Sequence, residues 1–176
     1  MKQKQKNNNY HIDELLSNMT QDLQTLIQKR KMDDLVMVGI HSAGVWIAQY
    51  LHESLKISEP LGELNISFYR DDFSRIGLHP QIKPSKLPFS IENKNIILVD
   101  DVLYTGRTIK AAMNELFDFG RPASITLAVL IDRGGRELPI EAQVVGLTEE
   151  MDKNRYLQLS NDNNKLELTI INREKY

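Results

Sequence analysis

The chain has 176 residues, enough for one domain with a substantial core and short for two. It contains no cysteine, which excludes disulfides, thiolate metal sites and cysteine nucleophiles. Its net charge of −2 gives no global pull toward nucleic acid, and no apolar run approaches the roughly 18 residues that a membrane span needs.

Residues 1–10 read as a basic, disordered tail without the apolar stretch of a secretory signal. We therefore expect a cytoplasmic protein with one domain over residues 11–176. Residues 11–30 form an amphipathic helix. Ile12, Leu15, Leu16, Met19, Leu23, Leu26 and Ile27 recur there at spacings of three and four, which places them on one face. A strand follows at 35–40, then a loop at 41–44 and a helix over 45–55. Residues 64–69 are another strand. Residues 72–92 form a long irregular segment with Pro80, Pro84 and Pro88, and a loop of that length in a small domain is usually functional or disordered. Strand 96–99 precedes a helix at 108–119. Residues 125–131 are almost wholly apolar, as in a strand buried on both faces. A short strand at 143–146 and a hairpin at 156–171 end the chain, with Asn161-Asp162-Asn163-Asn164 as turn residues. Strands alternating with helices predict an α/β fold with a mostly parallel central sheet flanked by helices.

The chemistry concentrates in one run, Ile96-Ile97-Leu98-Val99-Asp100-Asp101-Val102-Leu103-Tyr104-Thr105-Gly106-Arg107-Thr108. A buried strand ends in two carboxylates, and a small-residue loop leads into a helix. Amides at a helix start lack intrahelical partners and carry partial positive charge, so a phosphate satisfies them. Gly106 lets the backbone approach closely, and Thr105 and Thr108 offer hydroxyl donors. Asp100 and Asp101 sit where open α/β sheets bind ligands. They can accept hydrogen bonds from ribose hydroxyls and form a negative site for Mg²⁺ that keeps its waters. Together these groups suit a ribose 5-phosphate.

This run resembles the phosphoribosyl-pyrophosphate (PRPP) motif of type I phosphoribosyltransferases. The wording Val-Asp-Asp-Val-Leu-Tyr-Thr-Gly-Arg-Thr looks like the PyrR family in particular, bifunctional pyrimidine-operon regulators and uracil phosphoribosyltransferases. Tyr69-Arg70-Asp71-Asp72, Gly120-Arg121-Pro122 and Ile131-Asp132-Arg133-Gly134-Gly135-Arg136-Glu137-Leu138-Pro139-Ile140 agree with it. The likeness covers residues 34–146. It implies the type I phosphoribosyltransferase fold with a small hood and a flexible flap over residues 72–92.

The resemblance also implies roles. Residues 96–108 would bind PRPP, and Asp100 and Asp101 would hold the ribose hydroxyls and, through water and substrate, Mg²⁺. His41, Ser42, Ala43 and Gly44 match the pyrophosphate loop. Many relatives have Arg or Lys there, and this chain does not. A histidine beside phosphates can carry part of the missing charge, so His41 either does this or is a strand-end polar residue. Arg70 and Asp71 would act on the pyrophosphate as a catalytic pair, or form a surface pair of little consequence. Arg107 can point outward to a neighbouring acid. Ile131, Asp132 and Arg133 would lie at the base site.

The implied reaction is uracil plus PRPP giving UMP and pyrophosphate. The alternative is a UMP- or PRPP-responsive regulator that binds pyrimidine-operon leader RNA. Residues 1–31 hold six Lys/Arg against three Asp/Glu, and the pyrophosphate loop adds neither Lys nor Arg. We therefore expect weak or absent RNA binding. A homodimer or higher homo-oligomer is implied, and no membrane partner.

Overall fold

The computed structural model describes residues 11–66, 84–150, 155–162 and 165–172. Helix α1 is Ile12–Arg30, strand β1 Leu35–Ile40, helix α2 Ala43–Leu55 and strand β2 Gly62–Leu64. Strand β3 is Asn95–Leu103, helix α3 Arg107–Phe119, strand β4 Ser124–Asp132 and strand β5 Val144–Thr148. Strands β6, Arg155–Asp162, and β7, Lys165–Asn172, form a separate antiparallel pair.

The main sheet runs in the order β2-β1-β3-β4-β5, and every pairing in it is parallel. From β1 the chain crosses outward to β2 through α2. From β3 it crosses the other way to β4 through α3. Right-handed crossovers in opposite directions put their helices on opposite faces. The core shows this with period two along the strands. Met37, Ile97, Val99 and Leu130 pack with α1 and α2, while Val36, Val38, Ile96 and Leu98 pack with α3.

Helix α1 forms because its apolar stripe has a face to cover. Leu16, Met19 and Leu23 are fully buried, and Leu15, Leu26 and Ile27 flank them. Asp13 and Glu14 in its first turn and Lys29 and Arg30 in its last complement the helix dipole. The β6–β7 hairpin adds buried Leu157 and Leu159 to the same core. Leu23→Ala, at 0% exposure, is expected to cost roughly 2–5 kcal/mol. That lowers Tm by roughly 4–20 °C in a domain of this size, measurable by calorimetry.

Several boundaries move from the expectation. Strand β3 runs on through Asp100 and Asp101 to Leu103, because β4 stays paired with it out to Asp132. Helix α2 starts at Ala43 rather than residue 45, so the loop after β1 shortens to His41 and Ser42. Strand β2 lies at Gly62–Leu64 rather than at 64–69, in register with the end of β1; residues 67–69 are outside the described residues. Strand β5 runs two residues past the expected 143–146, to Thr148, in register with the end of β4. Asn161 and Asp162 belong to strand β6, and the rest of that turn is outside the described residues. The expected flap was drawn too long at its C-terminal end. Ile91 is buried, Leu87 and Phe89 pack on the α3-side core, and Lys86 bridges to Glu63 of β2. Residues 72–83 of that expectation lie outside the described residues, as does the 1–10 tail.

Candidate active site

The direction of chain crossing reverses between β1 and β3, and such a switch point opens a crevice at the carboxyl ends of the strands. Here the opening has a specific cause. Strand β1 pairs with β3 only as far as Gly39 opposite Val99. Beyond that point β3 is paired with β4 alone, with Asp100 opposite Val129 and Leu103 opposite Asp132. The edge that β1 vacates carries the two aspartates.

Asp100 is only 1% exposed, and its Oδ1 accepts the N–H of Asp101 at 2.9 Å. Asp101 is half-buried. The head of α2 presses on this point. A Cβ built on Gly44 would lie 2.7 Å from the Val99 carbonyl oxygen and 3.0 Å from Asp100 Cα. Only glycine lets the two elements meet so closely.

Two helices begin at the crevice. The N-cap of α2 is Ser42, whose side chain makes no capping bond. The N-cap of α3 is Gly106, at φ 91°, a left-handed conformation suited to glycine. Neither helix has an acid in its first turn, in contrast to α1. Their first amides and dipoles therefore face the crevice without a competing carboxylate of their own, as anion sites require.

The loop after β4 braces the cradle of residues 104–108. The Thr105 carbonyl accepts the N–H groups of Glu137 at 3.0 Å and Leu138 at 3.1 Å. Arg136 donates to the carbonyls of Tyr104 at 2.8 Å and Ile140 at 2.9 Å, and pairs with the Asp132 carboxylate. Arg107 points outward and pairs with Glu137 at 2.8 Å, both side chains being half-exposed.

The sequence-predicted residues are placed as follows. His41, Ser42, Ala43 and Gly44 lie at the head of α2, and Asp100, Asp101 and Tyr104 to Thr108 run from the end of β3 into α3. Ile96, Ile97, Leu98 and Val99 are fully buried and support the site from within the core. Ile131 is buried as well, so only its backbone is positioned to meet a ligand. The Asp132 carboxylate is engaged by Arg136 and by the Gly134 N–H at 2.9 Å. The Arg133 guanidinium stacks 4.2 Å from the centre of the Tyr104 ring. Arg70 and Asp71 are outside the described residues.

Sequence reasoning missed two residues. Arg136, the tie across this loop, sits four residues after Asp132, and that spacing of opposite charges was a signal. Glu63 lies 2.7 Å from His41 and gave none, since the two are joined only by the register of β1 and β2.

A groove of about 610 Å³ lies elsewhere, beside α3 and the segment after β4, lined by residues such as Ile109, Met113 and Pro139. It is mainly apolar and holds neither aspartate. Among the described residues no three His, Cys, Asp or Glu side chains cluster as a metal cage. A Mg²⁺ that keeps water and takes phosphate oxygens needs no such cage, and the half-buried Asp101 carboxylate fits that use. Among the described residues no helix is long and apolar enough to cross a membrane.

Comparison with known proteins agrees with this geometry. The family described as "Phosphoribosyl transferase domain" matches residues 11–159. A "Bifunctional protein PyrR" of Nitrosococcus oceani is 53% identical over 152 residues, covering 85% of this chain and 86% of that one. A protein of the same name from Pseudomonas syringae pv. tomato is 52% identical, covering 84% and 86%. Among solved structures, a hypoxanthine-guanine phosphoribosyltransferase from Bacillus anthracis superposes with a TM-score of 0.62 at 18% identity, covering 78% of this chain and 80% of that one. At that identity the likeness speaks for the fold.

Proposed function

Because this chain belongs to the PyrR family of phosphoribosyltransferases, we propose that its crevice transfers the phosphoribosyl group of PRPP to uracil, giving UMP and pyrophosphate. The observation that carries this is the acidic pair, Asp100 buried and Asp101 half-buried, between two helix N-termini at the switch point of the sheet. The amides of residues 106–108 and the Thr105 and Thr108 hydroxyls take the 5-phosphate. Asp100 and Asp101 accept hydrogen bonds from the ribose hydroxyls. The amides at the head of α2 take the pyrophosphate. The C1–O bond to pyrophosphate breaks, the C1–N1 bond to uracil forms, and the N1 proton of uracil is released to solvent.

When bound, Mg²⁺ would neutralise the pyrophosphate and stabilise its departure. The protein's own contribution is positioning. No nucleophile is required, in keeping with a site built from carboxylates, amides and hydroxyls. The segment from Asp132 to Ile140 borders the cradle, and its backbone groups are the candidates for reading the two carbonyls and one N–H of the uracil edge.

The assay is UMP formation from labelled uracil and PRPP, with and without Mg²⁺, against cytosine, orotate and hypoxanthine as competitors. Mg²⁺-dependent UMP in preference to the other products is the expected result. Product from hypoxanthine instead would overturn the choice of base, and no product from any base would overturn turnover.

The word "bifunctional" in the relatives' name favours a second reading beside the first: a nucleotide-responsive regulator of pyrimidine genes acting on leader RNA. Tight, salt-dependent binding of such RNA that UMP strengthens would support it.

A further inference from the structure

We propose that Glu63 is a positioning residue for the pyrophosphate site, acting through the imidazole of His41. The inference rests on reading residues 41–44 as the pyrophosphate loop, and adds to it a residue from the neighbouring edge strand.

The loop between β1 and α2 is only His41 and Ser42. Ser42 is exposed and caps nothing with its side chain, and Ala43 and Gly44 have no polar side chain. His41 is thus the one residue of the four whose side chain can carry charge to a leaving group. It is fastened to β2 twice. Its N–H donates to the Leu64 carbonyl at 2.8 Å. Its Nε2 lies 2.7 Å from Glu63 Oε2.

The register explains why Glu63 reaches it. Glu63 lies opposite Gly39, and Leu64 opposite Ile40, so His41 is the next step beyond the paired strands. The side-chain position of Gly39 faces Val45 and Ala48 of α2. Glu63, its partner, therefore stands on the α2 face of the sheet. An ionised carboxylate only accepts hydrogen bonds, so this contact requires Nε2 to carry the proton. The bond fixes both the tautomer and the direction of the ring at the head of α2.

The two side chains are 21% and 32% exposed, and a single partly exposed pair contributes only modestly to folding. The backbone of Glu63 separately pairs with Lys86 through N–H···O bonds of 2.8 and 2.7 Å. Substituting the side chain leaves that bridge in place. The effect of losing the carboxylate should therefore fall on the loop rather than on the fold.

The test is a double-mutant cycle of Glu63→Ala and His41→Ala, read by calorimetric binding of PRPP with Mg²⁺ and by ¹⁵N NMR of the His41 ring. Each single variant is expected to weaken PRPP binding about tenfold, and the double variant no more than about tenfold, since coupled residues are not additive. Glu63→Ala should also shift the His41 ring nitrogen signals while Tm stays within about 2 °C. Additive losses near a hundredfold, or wild-type PRPP affinity in Glu63→Ala, would overturn the proposal alone. Failure of the wild-type protein to bind PRPP would instead overturn the reading of the loop, and the proposal with it.

Discussion

Replacing Asp100 and Asp101 together by asparagine is expected to lower kcat/KM for PRPP by roughly 10²–10⁴-fold and to leave the fold intact. Each carboxylate, in the proposed site, accepts a hydrogen bond from a ribose hydroxyl, and hydrogen bonds to charged groups contribute about 1.5–3 kcal/mol each. Two of them give about 3–6 kcal/mol, at about 1.4 kcal/mol per factor of ten. Asparagine keeps the size of aspartate and one carbonyl oxygen. The bond from the Asp101 N–H to the side chain of residue 100, 2.9 Å in the native chain, can therefore persist. Steady-state UMP synthesis and calorimetric PRPP binding check the result. Wild-type kinetics in the double variant would remove the acidic pair from the site.

The single substitutions should also separate. Asp100 is buried among strand ends and touches the head of α2, whereas Asp101 is half-buried. Losing the charge at Asp101 should act mainly on ligand, and losing it at Asp100 on ligand and on the fit between β3 and α2. Thermal unfolding of the two single variants distinguishes these effects.

Much of this was legible in the sequence because the features are local. The apolar period of α1 requires a buried face, and Leu16, Met19 and Leu23 occupy it. The unbroken apolar run of β4 requires a strand covered on both sides, and helices do cover both. The run from Ile96 to Thr108 states strand, acids, glycine and helix in order, and the structure keeps that order. Non-local features were not legible. Strand β1 ends at Ile40 as its residues indicate, but nothing local says that β3 continues to Leu103, and that mismatch opens the crevice. The strand drawn at 64–69 fell elsewhere for the same reason: parallel pairing with the end of β1 selects Gly62–Leu64. Glu63 and His41 meet only through that register. The engagement of Asp132 by Arg136 depends on how the loop after β4 folds back on Thr105, which no periodicity reports. The family likeness of residues 131–140 located this loop without saying which side chains it would occupy.

Gly44→Ala is expected to damage stability and activity together, in contrast to the loss of charge at Asp101. The added Cβ would stand 2.7 Å from the Val99 carbonyl oxygen, 3.0 Å from Asp100 Cα and 3.2 Å from Asp100 Oδ1. Two of these neighbours are backbone atoms of a strand paired along its length with β4, and they cannot swing aside as a side chain can. The strain must be relieved by α2 moving away from β3. Overpacking of this kind costs about 1–3 kcal/mol, or roughly 2–12 °C in Tm for a domain of this size. The same movement carries the amides at the head of α2 away from Asp100 and Asp101, so the proposed pyrophosphate and ribose ends of the site lose their alignment. A misplacement of about 1 Å can cost on the order of 10² in rate, and the loss should appear in kcat as well as in PRPP affinity. Assaying UMP synthesis well below the lowered Tm separates misalignment from unfolding. Full activity there, in a protein whose Tm has fallen, would mean that α2 can shift without consequence and that the pyrophosphate is held by other groups.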